Sequence, residues 1–491
     1  MFTEKNIYNH LRELGCCEIC SVRYFCNKYI DLGDVNTYIK MNNIVQDKLD
    51  DEENNKKMKV NPCLVCLGLL QTESIDSILM DENLKVGLSY DSPVFTCSIS
   101  MPACILLREH SMRLYLENKF PEFFTEGNKE IPLNRAWKMF VKASISKYLL
   151  KDFETSDSCD FAINISYDHK DDETELSSLK EMQPNTFQQR KIQKRKFTGD
   201  LFARKCVVNV LEQTNNDTFK KYYPVPPSIP TNFITIKNIE CKQNPMYIAG
   251  RYIKLSRELS QSPWIIDGIR LQESSVQEII FESITKLFNI CEKDMKFSAS
   301  GREDCDVRCI GKGRPFYIEI ADPKRHLTKE EFKQLEKNVN ESTMIKVRDL
   351  QITCKSDLSK IKEGEELKTK DYQALCRTKN DITQEQIDKI NETGLNPFVI
   401  KQQTPIRVLH RRPLAVRERT IHKMDTKKVE GSPYLFILNI NTQAGTYVKE
   451  FVHGDFERTL PNIGTIIGDE AELIALDVVS INLDWPPEIT Y

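Results

Sequence analysis

Two Cys-x-x-Cys pairs, Cys17-x-x-Cys20 and Pro62-Cys63-x-x-Cys66, constrain the start of this chain more than any other feature. Each pair brings two thiolates to one point, and two such knuckles complete a tetrahedral four-sulfur site of the kind zinc prefers. With four protein ligands no coordination position stays open, so the site staples chain segments together and does no chemistry. The span from Cys20 to Cys63 exceeds ordinary ribbon spacing, and buried free thiols are the competing reading. Cys16 adjoins Cys17 and offers a second register. Cys17 is preferred because it alone leaves two residues before Cys20.

A metal reading of these thiols presupposes a reducing compartment, because 16 Cys in an oxidising one would form a disulfide framework. The opening MFTEKNIYNHLRELG lacks the basic-then-apolar layout of a secretion signal, and no apolar stretch approaches the ~20 residues of a membrane span. The expectation is an intracellular protein, nuclear or cytoplasmic, with no membrane partner. At 491 residues the chain has room for two to four domains at about 100–200 residues each. A net charge of −3 excludes a uniformly basic nucleic-acid coat but allows a neutral protein with a basic groove. Residues 241–491 balance cations against carboxylates, so any RNA surface must come from local clustering.

Along the chain, Ile7, Leu11 and Leu14 predict an opening helix, Val86 to Leu107 reads as strand-like, and Leu114 to Leu150 as helices. The stretch 168–199 begins acidic and ends basic (Arg190, Lys191, Lys194, Arg195, Lys196), which predicts a solvated loop-like insertion. The stiff segment Pro224 to Pro230 marks a boundary region, and the chain is divided near residue 240. Beyond it, helix-like Ser274–Phe288 and Lys329–Asn338 alternate with strand-like Phe316–Ala321, Tyr434–Ile440 and Leu473–Ile481. This order predicts an α+β fold around a mainly antiparallel, mixed sheet rather than regular βαβ winding.

Three polar constellations lie in this second half. The run Tyr247-Ile-Ala-Gly-Arg251-Tyr252-Ile-Lys254-Leu-Ser-Arg257 interleaves cations with aromatic rings, as an RNA-tracking surface does, or as an amphipathic helix with a turn would. Ser300-Gly-Arg302-Glu-Asp304-Cys-Asp306-Val-Arg308, then Gly311-Lys-Gly313-Arg314-Pro-Phe, crowds charges beside glycines, and its glycine pair is too weak to mark a phosphate loop. Gly445-Thr-Tyr447-Val448-Lys449 leads from a glycine turn into apolar residues with one cation, and a lysine near a buried edge calls for an anionic partner.

Taken with LHRRPLAVR, VHGD and the terminal LDWPP, these motifs run in the order of the tRNA pseudouridine synthases that act at positions 54 and 55, and the chain resembles that family over nearly its whole length. The resemblance implies a zinc-binding module at 1–80, a THUMP-like α/β RNA-binding region at 81–240 carrying the insertion, and a pseudouridine synthase catalytic domain at 241–491. It implies a monomeric enzyme with tRNA as substrate and structural zinc but no organic cofactor.

Composition leaves Asp304 and Asp306 open as the catalytic carboxylate. The family pattern favours Asp304, closing Gly-Arg-x-Asp, as the group that attacks the ribose of the flipped uridine. Lys449 then resembles its basic partner, and Tyr372 in Lys370-Asp-Tyr372 resembles the tyrosine that stacks on the target base, with Tyr447 or Val448 on the opposite wall. Arg251, Tyr252, Lys254, Arg257, Arg302 and Arg314 are expected to contact RNA. Arg407, Arg411, Arg412, Arg417 and Arg419 are read as phosphate contacts, with solvated surface as the alternative. Glu457 stands where the family pattern calls for glycine, and its charge disfavours a phosphate approach there. A rival reading is a non-catalytic zinc- and THUMP-bearing RNA-binding adaptor. Presence of Asp304, Tyr372 and Lys449 together argues against it.

Overall fold

Buried apolar residues form three clusters, one in the first unit of the chain and two in the second. The computed structural model describes residues 3–26, 32–44, 61–124, 130–156, 159–194, 201–288, 290–366 and 368–489, in two units, Met1–Gln243 and Asn244–Tyr491. In the first unit one apolar cluster runs from Ile7 to Ile239 and includes the cysteines of both knuckles. Its sheet has the order β2-β1-β3-β4, with β1 (Val94–Ser100), β2 (Asp152–Phe153), β3 (Phe161–Asp168) and β4 (Thr235–Gln243). β1 runs parallel to β2 and β3, and β4 antiparallel to β3.

Two expectations for this unit are corrected. Only 94–100 of the strand-like stretch 86–107 is strand, because Pro102 ends it and helix Cys104–Lys119 begins at once. The stretch 168–199 is not a loop: helices Asp172–Leu176, Ser178–Met182 and Pro184–Lys194 fill its described part. Leu176, Leu179, Met182 and Phe187 are buried at near-helical spacing, a periodicity masked by the surrounding charge. Arg195 and Lys196 fall outside the described residues, as do the side chains of Lys191 and Lys194 and the charged stretch 50–59.

The second unit is built on β5 (Met246–Lys254), a small hairpin β6 (Ile265–Ile266) and β7 (Ile269–Arg270), β8 (Met295–Ala299), β9 (Arg308–Ile320), β10 (Ile345–Thr353), β11 (Lys370–Thr378), β12 (Phe398–Gln403), β13 (Val416–Lys428), β14 (Leu435–Thr442), β15 (Thr459–Leu460) and β16 (Ala471–Ile481). Its large sheet has the order β10-β5-β9-β16-β11-β14-β13-β12-β15, with β8 added on β9. All its pairs are antiparallel except β9 with β16. The predicted α+β fold with a mainly antiparallel, mixed sheet is the fold observed. Helix Lys329–Val339 starts on a reciprocal cap, Glu331 N–H donating to Thr328 Oγ1 at 3.2 Å and Thr328 N–H to Glu331 Oε2 at 3.0 Å.

The run at 247–257 is neither helix nor surface. It forms β5, which lies between β9 and β10 and is buried along nearly its whole length. The glycine pair 311/313 belongs to β9: a Cβ on Gly311 would lie 2.2 Å from the Val479 carbonyl oxygen and one on Gly313 2.6 Å from that of Tyr252. Both have positive φ (64° and 78°), so these glycines let β9 pass closely between β16 and β5.

After helix Val448–His453 the backbone turns left-handed over four residues, Gly454 (φ 79°), Asp455 (49°), Phe456 (55°) and Glu457 (64°). Left-handed conformation costs a non-glycine residue roughly 1–2 kcal/mol, so Glu457 carries strain that a glycine there would relieve. Glu457→Gly is therefore expected to stabilise the chain by about 1 kcal/mol in equilibrium urea unfolding. A lower midpoint than wild type would show that the turn carries no such strain.

Candidate active site

Loop 300–307 joins β8 to β9 and carries Asp304, and what holds it is a set of buried charges beneath it. Arg314, on β9, is 2% exposed; its Nε donates to Glu303 Oε2 at 2.7 Å and its Nη1 to the Ser300 carbonyl at 2.6 Å. The Tyr252 hydroxyl donates to the same Glu303 carboxylate at 2.9 Å, and Gln261 Nε2 links that hydroxyl (2.7 Å) to the Gly301 carbonyl (2.9 Å). Lys254 is fully buried and donates to the carbonyls of Leu259 (2.6 Å), Asp304 (3.2 Å) and Cys305 (2.6 Å). Burial lowers its pKa, and the carbonyls together with Glu303 offset that cost. Arg257 Nη1 donates to the carbonyls of Asp306 (3.1 Å) and Leu476 (2.8 Å), while its Nη2 pairs with Asp477.

These contacts correct the RNA-binding reading of Arg251, Tyr252, Lys254 and Arg314. Arg251 is 4% exposed and ends on the carbonyls of Lys312, Gly313, Leu483 and Trp485, which anchors the LDWPP segment. All four side chains are spent inside the protein, where a cation or hydroxyl among aromatic residues is retained only with internal partners. Arg257 is likewise committed to the loop and to Asp477. Arg302, Arg411 and Arg412 are exposed.

Above the loop, Asp304 meets two cations from separate segments. Arg407 Nη1 lies 2.9 Å and Lys449 Nζ 3.3 Å from Asp304 Oδ2. Lys449, on helix Val448–His453, also donates to both oxygens of Asp306 at 2.7 Å. That ammonium outweighs partial burial and holds the Asp306 carboxyl below its usual range. Arg407, expected as a phosphate contact, is instead paired within the protein, its Nε 2.6 Å from Oε1 of Glu450, which is 1% exposed. Arg417 donates to Thr404 Oγ1 and Arg419 to the Glu418 carbonyl.

Tyr372 sits on β11 opposite Ile440 and Val478, half-buried against the apolar cluster of this unit, and burial pushes its hydroxyl pKa up to about 12. It therefore stays a neutral ring at any physiological pH. Tyr447 is fixed by the Gln402 amide, which accepts its N–H and donates to its carbonyl, both at 2.9 Å. Val448 is 4% exposed within the same apolar cluster, so it packs the helix and offers no open wall.

Sequence reasoning passed over Glu303, Glu450, Gln402 and Gln261. The signal lay in their setting, because Glu450 stands inside the apolar run Val448–Val452, where a carboxylate requires a buried cation.

In the first unit, Cys17, Cys20, Cys63 and Cys66 bring four buried sulfurs within 4.8 Å of one another. The cluster contains Cys17 and not Cys16, whose thiol hydrogen-bonds Cys63 from beside it. Burial opposes ionisation of Cys63, but hydrogen bonds from the surrounding thiols prevail and bring it well below its ordinary pKa. Four buried thiols this close together could bind a metal ion.

Comparison with known proteins places this geometry. The family model "Pus10, C-terminal" matches residues 247–482, and "Eukaryotic Pus10, N-terminal" matches 63–241. A Xenopus laevis protein named tRNA pseudouridine synthase Pus10 is 39% identical over 445 residues, covering 89% of this chain and 83% of that protein. The chain belongs to the Pus10 family. The human Pus10 protein of the same name is 39% identical, over 88% of this chain and 80% of its own length. A Pyrococcus furiosus Pus10 is 34% identical over half of this chain and 59% of its own. Among solved structures, a chain of a Cbf5-Nop10-Gar1 complex shares 17% identity over 47% of each chain, with a TM-score of 0.26.

The Arg314–Glu303 pair yields a stability prediction. Glu303→Gln leaves the Arg314 charge without its carboxylate and is expected to cost about 3–5 kcal/mol in equilibrium unfolding, with Glu303→Gln/Arg314→Met recovering part of the loss. Additive costs in the double variant would show that the two side chains are not coupled.

Proposed function

We propose that this chain is a tRNA pseudouridine synthase that converts uridine to pseudouridine in the TΨC arm, at position 54, position 55 or both. The single observation that carries the mechanism is Asp304, on a loop clamped from beneath and flanked above by Arg407 and Lys449. The reaction breaks the N1–C1′ glycosidic bond, turns the uracil and forms a C5–C1′ bond, with no net redox change. It needs an ionised carboxylate at the ribose, attacking C1′ or taking the C2′ proton. Arg407 and Lys449 set two positive charges beside Asp304 Oδ2, where that carboxylate would act.

Asp306 is the weaker candidate, with its side chain 64% exposed against 35% for Asp304 and its charge already matched by Lys449. Tyr372 supplies a neutral aromatic face for a base that has lost its stacking neighbours, worth roughly 1–3 kcal/mol. Exposed Arg302, Arg411 and Arg412 are available to phosphates. The four-cysteine cluster would hold zinc, which supplies structural cross-linking and leaves the reaction to the second unit. The first unit would serve as the THUMP-like tRNA-binding part, and the enzyme would work as a monomer in the nucleus or cytoplasm.

Asp304→Ala is expected to abolish pseudouridine formation in a TΨC-arm transcript while leaving tRNA affinity within a few-fold of wild type. Pseudouridine mapping reads the first and filter binding the second. Activity at the wild-type level would overturn the assignment. For the metal, Cys63→Ser is expected to lose the zinc of this cluster by mass spectrometry of the native protein, and unchanged zinc content would exclude the four-cysteine site.

A further inference from the structure

We propose that Cys104, His169 and Glu175 bind a second divalent cation of the zinc class, separate from the four-cysteine cluster. The three come from different segments: Cys104 opens helix Cys104–Lys119, His169 directly follows β3, and Glu175 lies in helix Asp172–Leu176. A sulfur, a ring nitrogen and a carboxylate oxygen from them lie within 4.8 Å of one another. Cys104 is fully buried and His169 is 4% exposed.

The imidazole carries the decisive observation. His169 Nε2 lies 3.2 Å from the Asn232 carbonyl oxygen, and Nδ1 is buried with no hydrogen-bond partner among the described residues. A carbonyl acceptor requires the proton on Nε2, which leaves Nδ1 with a lone pair directed at nothing. Burying such an atom unsatisfied costs about 1–3 kcal/mol. A ring held through one nitrogen by a backbone carbonyl while the other is bare is how a ligating histidine is oriented. The Asn232 side chain is itself held, donating to Asp171 Oδ2 at 2.9 Å.

The other two donors are also preset. Both Glu175 oxygens are engaged, Oε2 accepting from the Tyr223 hydroxyl at 2.8 Å and Arg108 Nε at 2.9 Å and Oε1 from Arg108 Nη2 at 2.5 Å, and a carboxylate has further lone pairs for a metal. Asp172 Oδ1 accepts the Cys104 N–H at 2.8 Å. Arg108 therefore brings one positive charge against the carboxylates of Glu175 and Asp172. Burial and these two carboxylates push the Cys104 thiol well up. When a dication binds, the S–H bond breaks, the proton leaves to solvent, and the sulfur–metal bond forms. The local charge then changes from −1 to zero. A sulfur, nitrogen and oxygen donor set suits zinc rather than calcium or magnesium, which take oxygen alone.

Metal content of the full-length protein tests this after dialysis against metal-free buffer, by inductively coupled plasma mass spectrometry. Wild type is expected to hold two zinc ions per chain, His169→Gln and Cys104→Val one each, and Cys63→Ser/Cys66→Ser one. Should the last variant fail to fold, the first two decide alone, with circular dichroism reporting their fold. Cobalt substitution gives an independent reading: His169→Gln is expected to lose part of the visible absorption and keep that of the four-sulfur site. One metal in wild type, or two retained in both His169→Gln and Cys104→Val, would overturn the proposal.

Discussion

The buried ion pair of Arg314 and Glu303 is the contact on which the site depends. Arg314 belongs to β9, in the middle of the sheet, and Glu303 to the loop that β9 follows, so the pair fixes the loop to the strand that emerges from it. Neither charge is tolerable alone at this depth. Tyr252, Gln261 and the Ser300 carbonyl satisfy the remaining donors and acceptors, and Lys254 closes the loop by gathering three carbonyls. Asp304 is thereby positioned through its backbone, which leaves its carboxylate free to face the open side.

On that open side the electrostatics work differently. Asp304, Asp306 and Glu450 share Lys449 and Arg407, and the cations reach Asp304 from two segments distant in sequence. Glu450, at 1% exposure, holds the Arg407 guanidinium in place, whereas Asp306, with its side chain 64% exposed, occupies Lys449.

Much of the fold was legible because its elements carry clean periodicity: the helix read at 329–338 is found at 329–339, and the alternation at 316–321 marked the C-terminal end of β9. Where the reading failed, charge misled it. The helices between Asp172 and Lys194 hide their buried leucines among acidic and basic residues. The cations of β5 resemble an RNA surface in sequence, since nothing local records that both neighbours of the strand, β9 and β10, come from later in the chain.

The sequence by itself determined the chemistry available: two cysteine knuckles, a Gly-Arg-Glu-Asp loop, a late lysine after a glycine turn, and an α+β order of elements. Motifs of that kind are short, and their spacing is a local property. Only the tertiary structure decided which cations are left exposed and which are spent within, that Arg407 and not Lys449 alone flanks Asp304, and that Cys104, His169 and Glu175 meet. A charged side chain acquires its role from the partners that burial imposes, and those partners lie tens to hundreds of residues away in the chain.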